Sequence, residues 1–355
     1  MNSKIYIISL LFFVGIASGQ NKIPAFQKIA IESLLSDKIS IRAILIDKNK
    51  IFYAADKNRF GYIDMKTKVK TEHKIVLDTF KLEFRSIAQT KKHIFILCVG
   101  NPALLYKIDK KTMAPKLVYK EKNEKVFYDS MHFKDAKNGM AMGDPTEKCL
   151  SVIITNDGGN TWHKQTCDNI PQTIDGEAAF AASNTNLILQ GDSAWMVSGG
   201  KKARIFRSNN FGKLWQSYST PIAQGEAMTG IFSADFYDEK NGIIAGGNYE
   251  KPLQNFGNKA TTSDGGKTWK LVAENSGFGY SSCVQYVPSS NAKSIVSVGM
   301  TGVFYSDNAG ETWTQISEES SLFVLKFIGK DSFIAAGRDK ILRFTMLKMS
   351  KLKVL

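Results

Sequence analysis

The chain has only four histidines, His73, His93, His132 and His163, and none stands at metal-ligand spacing from another histidine or a cysteine. They read as surface or packed residues, and no metal site is expected. No Gly-x-Gly-x-x-Gly follows a strand and opens a helix, so nucleotide-linked redox chemistry lacks its usual cradle. No serine nucleophile elbow is present either. Of the 47 basic residues behind the formal charge of +14, only seven are arginine, and the lysines are dispersed over most turns. A nucleic-acid partner would ask for basic residues concentrated on one face, so none is expected. Helical periodicity, linkers and low-complexity segments are also missing.

Long apolar runs are absent beyond the N-terminus. There, Lys4 precedes the run Ile5 to Val14, which ends in Ala17-Ser18-Gly19. That pattern predicts a secretory signal peptide over residues 1–19, cut before Gln20. The run is short for a bilayer span, so membrane insertion is not expected, and the mature chain is read as exported, periplasmic or secreted. An exported protein can keep disulfides. Of the four cysteines, Cys149 and Cys167 are equidistant from Gly158 at a turn tip and face one another in a regular hairpin, which predicts a bridge. Cys98 and Cys283 sit in apolar strand patterns and read as core thiols.

What the chain does have is one eight-residue phrase four times over. Thr155-Asn156-Asp157-Gly158-Gly159-Asn160-Thr161-Trp162 returns as Ser208 to Trp215, Thr262 to Trp269 and Ser306 to Trp313, with tryptophans 53, 54 and 44 residues apart. A period of that size marks an array of supersecondary units. The third position, Asp157, Asn210, Asp264 or Asn308, is a short side chain able to bond nearby backbone N–H groups and close a turn. The fifth, a glycine, supplies positive φ. The tryptophan then starts the next strand and can wedge against the neighbouring unit.

This phrase closely resembles the Asp-box, or BNR, repeat of the sialidase-like β-propellers. The resemblance implies an all-β, seven-bladed β-propeller of four-stranded antiparallel blades, with the boxes on the face away from the binding site. Residues 20–355 are accordingly read as a single propeller domain. From Ile41 onward seven units can be traced, starting near residues 41, 79, 123, 171, 222, 276 and 320, each an apolar strand, a turn, a second strand ending near Gly or Ala, a third strand, a turn and a more polar fourth strand. In unit four the first strand is placed at Ala178 to Ala182. Phe26 to Ile31 suits an outer strand closing the ring.

Irregular loops fall on the face opposite the boxes, where binding is expected on a repeating frame. They are acidic, and Gly176-Glu177-Ala178 and Gly225-Glu226-Ala227 repeat one unit apart. Asp144, Glu177, Lys201, Arg207, Glu226, Tyr249 and Tyr280 are the candidate ligand-binding residues. Asp129, Glu177 and Glu226 are the candidates for acid/base work, with capping of strand ends as the alternative reading. Sialidases of this fold carry an Arg-Ile-Pro signature that this chain lacks, since Arg42 is followed by Ala-Ile. The chain is also similar to exported propellers of the photosystem II assembly factor type, which act as scaffolds, although the arginine-rich face of that family is not evident. The expected function is therefore a monomeric, non-catalytic, cofactor-free binding propeller presenting its acidic loop face to a protein or glycan. A carbohydrate-active enzyme is the alternative, and an oxidoreductase the remote one.

Overall fold

The computed structural model describes residues 28–77 and 81–347. The N-terminal segment 1–19 and the basic stretch Lys348 to Lys353 lie outside these residues. Every regular element among them is a strand, apart from a single 3-10 turn at Cys167–Asn169. Apolar alternation produces them: Ile94, Ile96 and Cys98 face one neighbour while Phe95 and Leu97 face the other. Both faces of each sheet are thereby buried between neighbouring sheets.

The strands pair antiparallel into a β-propeller of four-stranded blades. The core is correspondingly divided into clusters lying between successive units. One joins units one and two, the next units two and three, and so on to units five and six. The largest cluster brings Cys283 and Val296 of unit six, Val324 and Phe333 of unit seven, and Ile41 and Tyr53 of unit one together, which closes the ring. Cys98 and Cys283 are buried in these clusters as free thiols.

The count of seven separate blades needs correction, because the strands form six hydrogen-bonded sheets. The 20-residue strand Lys28–Asp47 pairs with Ser332–Leu347 over its first part and with Lys50–Ala55 over its last. It therefore fuses units one and seven into one six-stranded sheet. Sewing the chain's two ends together in this way leaves no free edge at the seam.

Unit four departs from expectation in a second way. Ala178 to Ala182 is not its inner strand. Glu177–Ala178 instead pairs with Gly199–Gly200 at the margin of the next sheet, residues 179–186 are irregular, and the strand resumes at Leu187–Gln190. The displaced segment is drawn across the central channel. Ser183 Oγ donates to Ser282 O at 2.7 Å, and Thr185 Oγ1 donates to Ser233 Oγ at 2.8 Å. Asn184 Nδ2 donates to Ile87 O and its Oδ1 accepts from Met131 N–H, both at 2.9 Å, while Arg42 Nη1 donates to Ala182 O at 3.4 Å. Units one, two, three, five and six are all touched by this one segment, so it plugs the channel.

The four repeated turns share one geometry. Thr155 Oγ1 accepts from Gly159 N–H at 2.9 Å, and Asp157 Oδ1 accepts from the N–H groups of Asn160 and Thr161 at 2.9 and 3.0 Å. Asp264 repeats this with Lys267 and Thr268, both at 3.0 Å. Asn210 and Asn308 each accept from the N–H four residues on, at 3.0 Å. The carboxylate thus reaches the N–H groups three and four residues on. Each tryptophan meets the preceding unit: Trp162 lies 6.3 Å from the Phe95 ring, and Trp215, Trp269 and Trp313 join clusters containing Met140, Ile205 and Ile243.

Candidate functional site at the channel mouth

The loop face owes its site to a backbone irregularity repeated around the ring. Close to its start, the inner strand of six units carries one residue too many for its partner strand, and the pairing skips it. The skipped residues are Arg42, Arg85, Asp129, Phe232, Ser282 and Phe323. Such a bulge re-aims a side chain. The residue paired beside each bulge is small: Ala55, Cys98, Gly143, Gly246, Gly299 and Gly337. A Cβ on Gly143, Gly246 or Gly337 would strike the carbonyl oxygen of Phe127, Gly230 or Ser321, which explains why the second strands end in Gly or Ala.

Arg42, Arg85 and Phe232 line a cavity of about 440 Å³ at the mouth of the channel. Tyr249, Tyr280 and Asp144 complete its walls, and the plug residues Ala178 to Ala182 close its floor. Phe180 of the plug stacks on Phe232 with centroids 3.9 Å apart, and Tyr280 meets Phe232 edge-on at 4.7 Å. The wall is therefore apolar and aromatic in one sector and charged in another, a composition typical of small-ligand sites.

The charged sector is strongly perturbed. Asp144 Oδ1 accepts from Ala179 N–H at 2.7 Å, yet burial pushes its carboxyl up to about 6. Asp129 is fully buried with neither carboxylate oxygen hydrogen-bonded, and burial, with the Asp144 charge next, drives it well above the usual range. Arg85 Nε donates to Glu83 at 2.8 Å. Arg42 has no ion pair among the described residues; its guanidinium lies 4.0 Å over the Phe323 ring and its buried Nε has no partner. Burial, then the charge of Arg85, lowers its affinity for a proton.

Of the residues singled out by sequence, Asp144, Tyr249 and Tyr280 meet in this cavity, with Asp129 buried beside them. The others do not join them. Glu177 is buried and gripped by Arg204, whose Nε and Nη2 donate at 2.9 and 2.6 Å, and by Ser198 Oγ at 2.6 Å. It is a structural ion pair with no lone pair to spare for a substrate. Glu226 is exposed and accepts from Asn248 Nδ2 at 2.9 Å. Lys201 packs on Gly176 outside the mouth, and Arg207 lies beside Gly265 and over Trp195, in the box-turn region. The candidate acids Asp129, Glu177 and Glu226 therefore share no pocket, and no group of three or more His, Cys, Asp or Glu could hold a metal among the described residues.

Arg42, Arg85, Phe180 and Phe232 are not among the expected site residues. Three of them were within reach: aligning the inner strands puts Arg42, Arg85, Asp129 and Phe232 at one position, where charge and aromatics interrupt apolar alternation. Phe180 was not, because its position depends on the plug.

Cys149 and Cys167 form a disulfide with Cα atoms 5.6 Å apart. No helix among the described residues is long and apolar enough to cross a membrane.

No family model matches the chain, and no curated protein matches it. Solved structures do. A YCF48 structure, described as bound to D1 peptide, superposes with TM-score 0.66 at 14% identity, over 92% of this chain and 98% of that chain. The RRP9 WD40 repeats superpose with TM-score 0.65 at 12% identity, over 90% and 99%. YCF48 from Cyanidioschyzon merolae gives 0.63 at 10% identity, over 90% and 98%. At these identities the likeness establishes the propeller fold alone.

Proposed function

We propose that this chain is an exported, protein-binding propeller of the Asp-box (BNR), sialidase-like type, which presents its loop face to a polypeptide partner. The observation that carries the reading is an exposed apolar pair on a loop beside the mouth. Val76, Ile174, Leu253 and Phe256 all belong to connections on the loop face, and Leu253 and Phe256 are 81% and 50% exposed on the same loop that bears Tyr249. An exposed apolar pair beside a concave mouth suits a protein-interaction site. A protein of the same fold, YCF48 bound to D1 peptide, supports the same direction. Export rests on the N-terminal pattern of residues 1–19, with Gln20 as the first mature residue, and the Cys149–Cys167 bridge suits an oxidising compartment. The acidic character expected of this face contributes little, since Glu177 is consumed by Arg204 and Glu226 by Asn248 and Lys251.

The test is selection from a random peptide library in parallel with a glycan array, both on the purified protein. Peptide ligands should emerge and lose about tenfold or more in affinity on Leu253→Ser with Phe256→Ser. Glycan binding without peptide binding, or peptides indifferent to the double variant, would overturn the reading.

A further inference from the structure

The mouth cavity leaves a buried cation without an acceptor of its own. That cation is Arg42. Its guanidinium is largely buried, meets one carbonyl at 3.4 Å, leaves Nε unsatisfied and has no carboxylate of its own. A buried, unpaired cation is costly and persists where something else completes it. Two phenols stand by it. The Tyr280 hydroxyl accepts from Ser282 Oγ at 3.4 Å, so its own proton remains to be given, and the Tyr249 hydroxyl has no hydrogen-bond partner among the described residues. The two tyrosine rings meet edge-on at 5.2 Å, and both hydroxyls are near enough to Arg42 to act on its charge. Glu83, a carboxylate whose charge does reach Arg42, is hydrogen-bonded to Arg85.

Beside these donors stands the aromatic stack of Phe180 on Phe232. Residues of the plug form one side of this space of about 440 Å³, which suits a ligand of small size. From this we infer that the channel mouth is a binding site for a small aromatic carboxylate, whose oxygens take the Arg42 guanidinium and the Tyr249 and Tyr280 hydroxyls while its ring lies against Phe180 and Phe232. This site goes beyond the protein-binding role of the surrounding loops and does not depend on it. A guanidinium–carboxylate contact is charge-assisted, and the dry aromatic wall strengthens it.

Phenylacetate, its neutral isostere phenylacetamide, and phenyl phosphate are the probes, titrated by calorimetry and by ligand-observed NMR. Phenylacetate should bind in about the millimolar range or tighter, as suits a ligand of its size. Phenylacetamide should bind about tenfold or more weakly, since it leaves the cation unpaired. Arg42→Gln should lose at least about tenfold for phenylacetate and little for the amide. Because Arg42 also props the plug through Ala182, Tyr249→Phe serves as a second variant that removes one hydroxyl and nothing else, with an expected loss of about threefold to tenfold. Equal binding of acid and amide, unchanged binding in both variants, or no binding of phenylacetate would overturn the site. Tighter binding of phenyl phosphate than phenylacetate would overturn the choice of carboxylate. None of these results would bear on peptide binding at Leu253 and Phe256.

Discussion

Aspartates in the outer turns and aspartates around the central channel are treated in opposite ways. Burial pushes up the carboxyls of Asp157 and Asp264, but donated hydrogen bonds, led by the hydroxyls of Thr161 and Thr268, outweigh it and hold both at about 2. Burial likewise pushes up Asp144 and Asp235, each to about 6, and there the backbone N–H groups of Ala179 and Tyr286 do not suffice. The Asp129 carboxyl receives no hydrogen bond and is driven well above the usual range. A turn that wraps its carboxylate in donors is a structural device. A carboxyl left short of donors at a cavity wall is what binding sites tolerate and frames do not.

The comparison can be broken in several places. The largest effect belongs to the frame: Trp215→Ala should cost about 3–5 kcal/mol in denaturant unfolding, because the indole is buried against unit three. A loss below about 1 kcal/mol would mean that the repeated tryptophans are not equivalent pegs. Replacing Cys149 and Cys167 together by serine should cost about 3 kcal/mol, given a loop of sequence separation 18. At the mouth, Gly143→Ala should cost about 1–3 kcal/mol, since the added carbon meets Phe127 O, and should disturb the Asp129 bulge. Tolerance of alanine there would remove the bulge as the organising device.

The smallest effects sharpen the contrast in pH. Asp264→Ala should cost about 1 kcal/mol and Asp264→Asn less, because Asn210 and Asn308 fill the same role. Asp157 and Asp264 have folded values below the ordinary 3.8, so the stability they contribute is present above that value and lost as pH falls toward about 2. Asp144 has the reverse sign. Its folded value lies above 3.8, so the folded state binds more protons between 3.8 and about 6, and stability should rise as pH falls through that window. Asp144→Asn should reduce that slope, to which Asp235 also contributes, and leave the acid limb below it in place. Stability curves of the two aspartate variants with the same slope would show that periphery and axis do not differ.

Much of the frame could be read from residues alone, since a turn carries its own explanation. Thr155, Asp157, Gly159 and Thr161 satisfy one another within seven residues, and Trp162 repeats at a nearly constant spacing. The site was legible only in part. Asp144, Tyr249 and Tyr280 are loop or strand-end residues of the expected face and do meet, whereas Glu177 looked equally exposed in sequence and is consumed by Arg204. Nothing local in the sequence distinguishes the two cases, because the deciding partner lies 27 residues away.

The amino-acid order by itself determined the antiparallel units and their turns, which rest on contacts between neighbours in the chain, and marked the packing pegs by repetition. Tertiary structure alone decided three things: that Lys28–Asp47 would fuse the first and last units, that residues 179–186 would leave their sheet to plug the channel, and that Arg42 would be buried without a counter-charge. Each is a contact between segments far apart in sequence, available only once the ring has closed and brought its inner strands around one axis.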